Sequence, residues 1–498
     1  MKLTVLVPSA AYRSYAGARI RYDRLAPALE RNGIQLSLAD IGHFDLRTAD
    51  CDAIVISKCH DARAFVAAAE CSTRGKLVGV DLFDDYFSQS SDSRLTRYRN
   101  WLAQLITVCD FALCSTQAMT EVARQYRSSL PTHIMNDPAP SGTFAAAAAV
   151  SERKLTEARD LRQIRICWFG VGDNAYFPVG LTDLAAYASE LAPLARSGFD
   201  VRLKVVTNAR ALSADGLSTL RSLPLRTEIQ EWSEDAEQDA LRSAFAAFLP
   251  VSAEPFSVAK SLNRAVTALS AGCQVLSAGY PLYEALGTLI YRDAANVLED
   301  LEGRAMRFST ATEYKYRRVL ESCASADVEA TSFAGFLSNL RPTLAADKRP
   351  LCVVHGHSTR LETHNFVRHV NGLSIASPYC SAPFDFDVLF RGGQSGVGMF
   401  VTRSAAERLL PQVRASVQPG QRFKGRNYLH VPRSSLSNSD VAQWFRWENA
   451  PISFHLATYR ESLSIVERAL TDAFGACRTF VSETRPLPFP LPDRPANA

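Results

Sequence analysis

Residues 252–287 read SAEPFSVAKSLNRAVTALSAGCQVLSAGYPLYEALG, and the rest of the chain is organised around this stretch. An acidic loop with a proline comes first, and Lys260, Asn263 and Arg264 follow at the start of a partly apolar run. This order predicts a helix whose first turn holds an anion. An Ala-Gly pair ends that helix, and the short apolar run 273–276 predicts a strand. The stretch therefore predicts a loop, helix and strand of an α/β sheet.

The three polar residues at the predicted helix start are spaced to share one face. Lys260 and Arg264 are four residues apart, and Asn263 is three residues from Lys260. Free backbone N–H groups, the positive end of the helix dipole and two cations would converge on one spot, which suits a diphosphate. An ordinary solvated face of a surface helix explains the same spacing, so both interpretations stay open at this point.

Length and composition limit the number of domains, the kinds of partner and the cellular compartment that the chain can have. The length of 498 residues predicts two or three domains. The net charge of +4 is too small to indicate that the chain binds nucleic acid. Its eleven cysteines include no CxxC pair, so neither a zinc knuckle nor a disulfide framework is indicated and a reducing cytoplasm is expected. No signal peptide or membrane span is predicted. Work at a membrane would therefore be peripheral, from the cytoplasmic side.

A first series of strands alternates with helix-like segments. Apolar runs at 3–7, 53–57, 76–81 and 111–115 are each followed by such a segment, and the first is followed by a flexible loop and a predicted helix over 19–29. This alternation predicts a doubly wound sheet, whose ligands bind at the carboxyl ends of the strands. No GxGxxG follows the first strand, so a nicotinamide cofactor is not indicated.

Three carboxylates lie at the end of the third run of that series or directly after it: Asp81, Asp84 and Asp85. They predict a polar loop, a helix cap, or an acid or base at an acceptor site.

A second series of strands begins after the Ala-rich and charged stretch 141–163, which predicts a linker followed by a helix. Its predicted strands lie at 164–170, 201–207, 227–232 and 246–251, the last leading into the opening stretch. Two series joined by a linker predict two sheets facing each other across a cleft, where substrates should bind.

The chain from 1 to 300 resembles the two-Rossmann-domain (GT-B) glycosyltransferases, in particular the group-1 (GT4-like) family of bacterial polysaccharide and lipopolysaccharide assembly. The resemblance lies in the loop and helix from Gly17, the strand with acidic loop at 80–85, the strand at 111–116, the strand at 166–170, and above all Lys260 to Gly272. It implies transfer of a sugar from a nucleotide diphosphate sugar to a glycan, a lipid-linked or a protein acceptor, with retention of configuration and no cofactor besides that co-substrate.

One departure from the family pattern concerns its two glutamates eight residues apart. Glu254 matches the first, but the position eight residues on is Leu262, and alignment on the Ala-Gly that ends the helix puts Thr267 there instead. The carboxylate that binds ribose in the usual pattern is therefore absent or moved.

The resemblance and the residues together predict the following roles. Lys260 and Arg264 neutralise the leaving diphosphate without a metal ion. The other residues predicted at the donor are Gly170, Asn174, Glu254, Ser257, Asn263, Tyr283 and Glu284, of which Tyr283 is equally well explained as a core residue. The residues predicted at the acceptor side are Gly17, Arg19, Asp84 and Asp85, with Asp84 grouped with the two cations as catalytic.

The predicted domains are 1–145, an acceptor-side Rossmann-like domain; 146–345, the donor domain; 346–484, an additional α/β or α+β domain of unknown role; and 485–498, a Pro-rich tail. Six residues of the third domain raise the question of a metal site: His355, His357, His364, His369, Asp385 and Asp387. Zinc or iron would accept an HxH pair on a strand, but no third ligand has a defined spacing, and polar loop residues explain the cluster as well. No metal site is predicted.

Two other functions stay open on the sequence. A binding protein that has lost turnover would keep the cleft and lack the second glutamate. A GT-B-shaped sugar-nucleotide epimerase would need no acceptor.

Overall fold

The computed structural model describes residues 1–342, apart from 45–48, 61–63, 65–66, 69–70, 73–74 and 141–143, together with the backbone of seven strands between residues 351 and 483. The first 342 residues form two lobes, each built on a six-stranded parallel sheet. The predicted fold class, two Rossmann-like domains facing each other, is confirmed.

The sheet of the first lobe has the order β2-β1-β3-β4-β5-β6. The chain enters at β1 in the interior and winds outward in both directions, as in other doubly wound sheets. Every residue of β3, β4 and β5 is buried, which is why these strands are continuous apolar runs rather than alternating ones. The strands are β1 (Lys2–Val7), β2 (Gln35–Asp40), β3 (Ala53–Ser57), β4 (Leu77–Leu82), β5 (Phe111–Cys114) and β6 (Thr132–Ile134).

The α-helices of the first lobe whose bounds lie within the described residues are α1 (Ala16–Ala18), α2 (Ala26–Arg31), α3 (Thr96–Leu105) and α4 (Gln117–Tyr126). Thr116 begins α4 because its side chain accepts a hydrogen bond from the backbone N–H of Met119. The helix predicted over 19–29 is wrong in detail: a π-helical turn at Arg19–Asp23 separates α1 from α2.

The sheet of the second lobe has the order β12-β11-β10-β7-β8-β9. Its strands are β7 (Gln163–Gly170), β8 (Asp200–Thr207), β9 (Arg226–Glu231), β10 (Ala246–Phe248), β11 (Gln274–Leu276) and β12 (Ile290–Tyr291). The helices that follow in the chain are α5 (Phe144–Asp160), α6 (Leu181–Ala186), α7 (Ala192–Ala195), α8 (Ala214–Arg221), α9 (Glu234–Ser243), α10 (Pro255–Val258), α11 (Asn263–Ser270), α12 (Ala294–Gly303), α13 (Glu313–Ala324) and α14 (Ala326–Ser338).

The helix predicted to begin at Lys260 begins three residues later. A separate turn, α10, starts at Pro255, and Ser261 then accepts the N–H of Asn263 with its hydroxyl. Such a local side-chain bond competes with helix continuation. Lys260 therefore precedes α11, and the prediction that it shares a helix face with Asn263 and Arg264 is wrong.

The last described helix, α14, returns from the second lobe to the first. Ala330, Phe333 and Leu337 are at most 2% exposed and belong to the same apolar cluster as Phe111 of β5. Glu329, on the same helix, accepts a hydrogen bond of 2.7 Å from Nε2 of His133 in the first lobe. This helix lies within the range predicted for the donor domain, yet its buried face completes the core of the first lobe.

A third, mixed sheet has the order β16-β17-β14-β15-β18-β13-β19. Its strands are β13 (Leu351–Gly356), β14 (Val388–Arg391), β15 (Gly398–Val401), β16 (Gln418–Pro419), β17 (Tyr428–His430), β18 (Phe454–Thr458) and β19 (Arg478–Glu483). Of the six residues considered for a metal site, His355 lies in β13, and the other five lie outside the described residues, as does the Pro-rich tail. Within the described part of the chain, no helix is both long and apolar enough to cross a bilayer.

Candidate active site

The carboxyl ends of the two parallel sheets face each other, as direct contacts between the lobes show. Ser115, directly after β5, donates a hydrogen bond of 2.6 Å from Oγ to the carbonyl oxygen of Ala259 in the second lobe. Ser261 donates in turn to the carboxylate of Asp137, which follows β6. Doubly wound sheets bind ligands at this edge, so the ligand edges of both lobes share one region.

An aromatic seam holds the lobes together beside that region. Phe177 and Phe256 of the second lobe stack with ring centroids 4.5 Å apart, and the ring of Tyr86 of the first lobe lies 5.3 Å from that of Phe256. Phe177 and Phe256 are nearly fully buried and belong to the same cluster as the core of the first lobe. The burial of these rings stabilises a closed arrangement of the two lobes.

Asp84 joins the lobes at the centre of the region. It follows β4, and its carboxylate accepts hydrogen bonds from Lys58 of the first lobe and Lys260 of the second. The carboxylate is 12% exposed, Lys58 18% and Lys260 38%. One largely buried carboxylate is therefore shared by two ammonium groups, and the Lys58 ammonium is the more buried of the two.

Arg264 completes the set of cations, which we call the cation cluster: Lys58, Lys260 and Arg264. Its guanidinium lies against Gly170 at the end of β7, because a Cβ built on that glycine would come within 3.4 Å of Nη1 of Arg264. Gly170 has φ +146°, a conformation that side chains disfavour, and it thereby leaves room for the guanidinium. Among the described residues, no hydrogen bond or ion pair engages the Arg264 side chain.

The start of α11 adds unpaired backbone donors. Its N-cap residue, Leu262, offers no side-chain acceptor, and the backbone N–H groups of Arg264 and Ala265 have no acceptor in the described part of the chain. Free N–H groups and the positive end of the helix dipole favour an anion.

Burial and the close spacing of positive charges change the proton affinity of both lysines. Burial and the nearby Arg264 guanidinium lower the pKa of Lys260 to about 7, although Asp137 acts in the opposite direction. Burial and the neighbouring Lys260 ammonium lower the pKa of Lys58 well below its ordinary value. Both lysines therefore lose their protons more readily than exposed lysines, and an added anion would raise the pKa of both.

A buried ion network lies beneath the cluster in the first lobe. Arg21, which is 2% exposed, donates to both carboxylate oxygens of Asp81 at 2.8–3.0 Å and to Asp137 at 3.1 Å. Tyr22 also donates to Asp81. Burial lowers the pKa of Arg21, but the two carboxylates outweigh this effect and raise it above the ordinary value. Because Asp137 also accepts from Ser261, the network fixes the loop that carries Lys260.

Comparisons with known proteins find similar solved structures, while no family model and no curated protein matches the chain. The Anabaena protein HepE in complex with UDP and glucose has 14% identity over 68% of this chain and 100% of its own, with a TM-score of 0.47. A trehalose-6-phosphate structure from E. coli bound with UDP-2-fluoro glucose has 12% identity over 68% and 99%, with a TM-score of 0.45. WaaG, a glycosyltransferase involved in lipopolysaccharide biosynthesis, has 12% identity over 67% and 98%, with a TM-score of 0.41.

Two doubly wound parallel sheets that meet at their carboxyl edges, with a last helix returning to the first lobe, decide the architecture. The chain has a GT-B fold. Within the GT-B fold the cation cluster lies where the two lobes meet.

The residues predicted at the acceptor side of the GT-B fold lie in the first lobe and differ in their contacts. Arg19 forms an ion pair of 2.8 Å with Glu234 and lies over the ring of Trp232, both in the second lobe. Gly17 lies close to Tyr12, whose hydroxyl would be 2.6 Å from an added Cβ. Asp85 is 3% exposed and accepts the backbone N–H groups of residues 87 and 88, so it shapes the loop that presents Asp84.

The remaining residues predicted at the donor occupy several environments. Asn174 accepts the N–H groups of the next two aromatic residues and shapes the loop after β7. Glu254 is the N-cap of α10 but makes no side-chain capping bond, and Ser257 is 6% exposed and accepts from Ser252. Tyr283 is 1% exposed in the core of the second lobe, whereas Glu284 is exposed.

Three residues of the region escaped the sequence predictions: Lys58, Asp137 and Ser261. Lys58 directly follows the strand β3, and a charged residue at the carboxyl end of a parallel strand is the signal that could have found it. Its φ of +58° is uncommon for a residue with a side chain. Asp137 and Ser261 belong to different lobes and are joined by the fold alone.

No group of three or more His, Cys, Asp or Glu residues within the described part of the chain is arranged to hold a metal ion.

Proposed function

We propose that the chain is a glycosyltransferase that moves a sugar from a nucleotide diphosphate sugar to a glycan or another acceptor. The observation that carries the proposal is the cation cluster at the meeting edges of the two sheets. Two lysines from different lobes share one carboxylate, and Arg264 lies beside them without a protein acceptor among the described residues.

A diphosphate fits the charge and the donors of this region. The free N–H groups at the start of α11 and the Arg264 guanidinium supply directional donors, and the lysines supply further positive charge. A diphosphate that leaves a sugar gains negative charge as its bond to the anomeric carbon breaks. Fixed cations stabilise that charge without reorganising, so the reaction proceeds without a metal ion in this proposal.

One bond breaks and one bond forms at the anomeric carbon during the transfer. The bond between the anomeric carbon and the diphosphate oxygen breaks, and its electron pair goes to the diphosphate. The acceptor hydroxyl oxygen forms a new bond to the anomeric carbon, and its proton passes through the Asp84 carboxylate to the diphosphate oxygen. Attack from the side that the diphosphate leaves retains the configuration, and this outcome is part of the proposal.

We place the reaction in the cytoplasm, with a glycan, a lipid-linked saccharide or a protein as acceptor. The scattered cysteines, which include no CxxC pair, favour a reducing compartment. A lipid-linked acceptor would bring the protein to the inner face of the cytoplasmic membrane as a peripheral enzyme.

A second candidate is a protein that binds nucleotide sugars without turnover. The observation in its favour is Thr267, which stands where the family pattern places a glutamate. Thr267 is 7% exposed and donates a hydrogen bond of 3.2 Å to Asn263 on the same helix, so it leaves no carboxylate for a ribose.

The test is a panel of uridine, guanosine, adenosine and thymidine diphosphate sugars, with and without glycan and lipid-linked acceptors. A transferase releases nucleoside diphosphate in the presence of an acceptor, and the variant Arg264→Met releases much less. A binding protein shows a rise in melting temperature with the same panel but no release. If no member raises the melting temperature or is consumed, the proposed function is wrong.

A further inference from the structure

Asp84 occupies the place where the cation cluster would hold an anionic ligand. Its carboxylate accepts from Lys58 of one lobe and Lys260 of the other, and no further cation or N–H group contacts it among the described residues. Both lysines are also held over aromatic rings: Nζ of Lys58 lies 4.2 Å from the ring centroid of Phe83, and Nζ of Lys260 lies 4.0 Å from that of Phe256. The two ammonium groups are therefore fixed in place on either side of a single carboxylate.

The charges around Asp84 do not balance. Asp81 is engaged by Arg21 and Tyr22, and Asp137 by Arg21 and Ser261, so neither compensates the cation cluster by direct contact. That leaves the single carboxylate of Asp84 among three basic side chains, Lys58, Lys260 and Arg264. A diphosphate carries more negative charge and more acceptor oxygens than one carboxylate, so it would engage the same cations more strongly.

We propose that Asp84 is a placeholder for the donor diphosphate: its carboxylate occupies the position of the diphosphate until the donor binds. We also propose that Lys58 is an additional diphosphate ligand contributed by the first lobe. The inference rests on the proposed function and deepens it. Binding of the donor takes both lysines from Asp84, and the released carboxylate then faces the acceptor hydroxyl. Donor binding thereby prepares the acceptor side, and the two substrates bind in a fixed order, with the donor first.

The two halves of the proposal predict opposite signs in one binding experiment. Isothermal titration at pH 6.5 with inorganic pyrophosphate, and with the nucleoside diphosphate that the protein prefers, measures the affinity. Lys58→Met removes a phosphate ligand and is expected to weaken binding about 10-fold. Asp84→Asn removes the competing charge, keeps the size of the side chain and is expected to tighten binding about 3- to 10-fold.

The double variant of Lys58 and Asp84 tests whether the two residues act at one site. Because a neutral residue 58 no longer contacts the carboxylate, the gain from Asp84→Asn should shrink in the Lys58→Met background. The exposed pair Lys2 and Asp50 gives matched controls, since it is a lysine and aspartate ion pair at the opposite edge of the same sheet. Lys2→Met and Asp50→Asn should leave the affinity unchanged.

The outcomes separate the two proposals. If the wild-type protein binds neither pyrophosphate nor any nucleoside diphosphate, the proposed function fails. If the wild-type protein binds and Asp84→Asn binds equally or more weakly while its melting temperature stays near the wild-type value, Asp84 is a link between the lobes and the placeholder inference is wrong. If Lys58→Met alone leaves the affinity unchanged, Lys58 is not a ligand of the diphosphate.

Discussion

Replacement of Arg264 by methionine separates ligand binding from folding more cleanly than any other substitution in the cation cluster. Its guanidinium contacts Gly170 but has no hydrogen-bond or ion-pair partner among the described residues. The folded protein therefore loses no such partner in Arg264→Met, and we expect the free energy of unfolding to change by less than about 0.5 kcal/mol. The substitution should therefore change ligand binding and leave folding nearly unchanged.

The expected loss of affinity follows from the bonds that a diphosphate would make. A hydrogen bond to a charged group contributes about 1.5–3 kcal/mol. Since each 1.4 kcal/mol is a factor of ten, Arg264→Met should weaken binding of the nucleoside diphosphate about 10- to 150-fold. Arg264→Lys should recover part of this loss, because it restores the charge but not the planar fork of donors.

Isothermal titration of the wild-type protein and these variants measures the effect, with thermal unfolding run in parallel. Arg221→Met serves as the control, because Arg221 is an exposed arginine at the end of α8, where the chain returns to the amino edge of the sheet. Wild-type affinity in Arg264→Met would refute the diphosphate site. A large fall in its melting temperature would show instead that Arg264 has a structural role.

Three further predictions concern pH, the returning helix and metal ions. Since burial and Arg264 lower the pKa of Lys260 to about 7, the lysine is increasingly neutral above pH 7 in the free protein. An anionic ligand favours its charged form, so affinity should fall as pH rises from 7 to 9, with net proton uptake on binding. Lys260→Met should reduce this uptake, and a flat pH profile contradicts the prediction. Phe333→Ala should lower the free energy of unfolding in urea by about 3–5 kcal/mol, because the ring is fully buried. Val328 on the same helix is 47% exposed, so Val328→Ala should change this free energy by less than about 0.5 kcal/mol. Equal effects of the two substitutions would show that α14 does not stabilise the first lobe. Removal of divalent ions with EDTA should leave turnover unchanged, and a loss that Mg²⁺ or Mn²⁺ reverses would overturn the metal-independent mechanism.

The buried strands could be predicted from the sequence because each parallel strand is covered on both faces. The apolar runs at 53–57 and 111–115 match β3 (Ala53–Ser57) and β5 (Phe111–Cys114) to within one residue. The edge strand β2 (Gln35–Asp40) escaped prediction because its side chains are mostly exposed or partly exposed, so it lacks an apolar run.

The candidate site could be predicted only where its residues follow one another in the chain. Lys260 and Arg264 are brought to the meeting edges of the two sheets, as expected, but not by a common helix face. The loop before α11 is held in place by a hydrogen bond from Ser261 of the second lobe to Asp137 of the first. These two residues are more than a hundred positions apart in the sequence. Lys58 was missed for the same reason, since Lys260, which donates to the same Asp84 carboxylate, lies far along the chain.

The return of α14 to the first lobe affects how the chain folds during synthesis. The core of the first lobe lacks Ala330, Phe333 and Leu337 until the ribosome has made the whole second lobe. At about 5–20 residues per second, this delay after residue 142 is on the order of 10–40 s. During that time one face of the nascent first lobe stays uncovered, so the two lobes must mature together, and a chaperone that shields apolar surface would act on the first lobe before the second is complete.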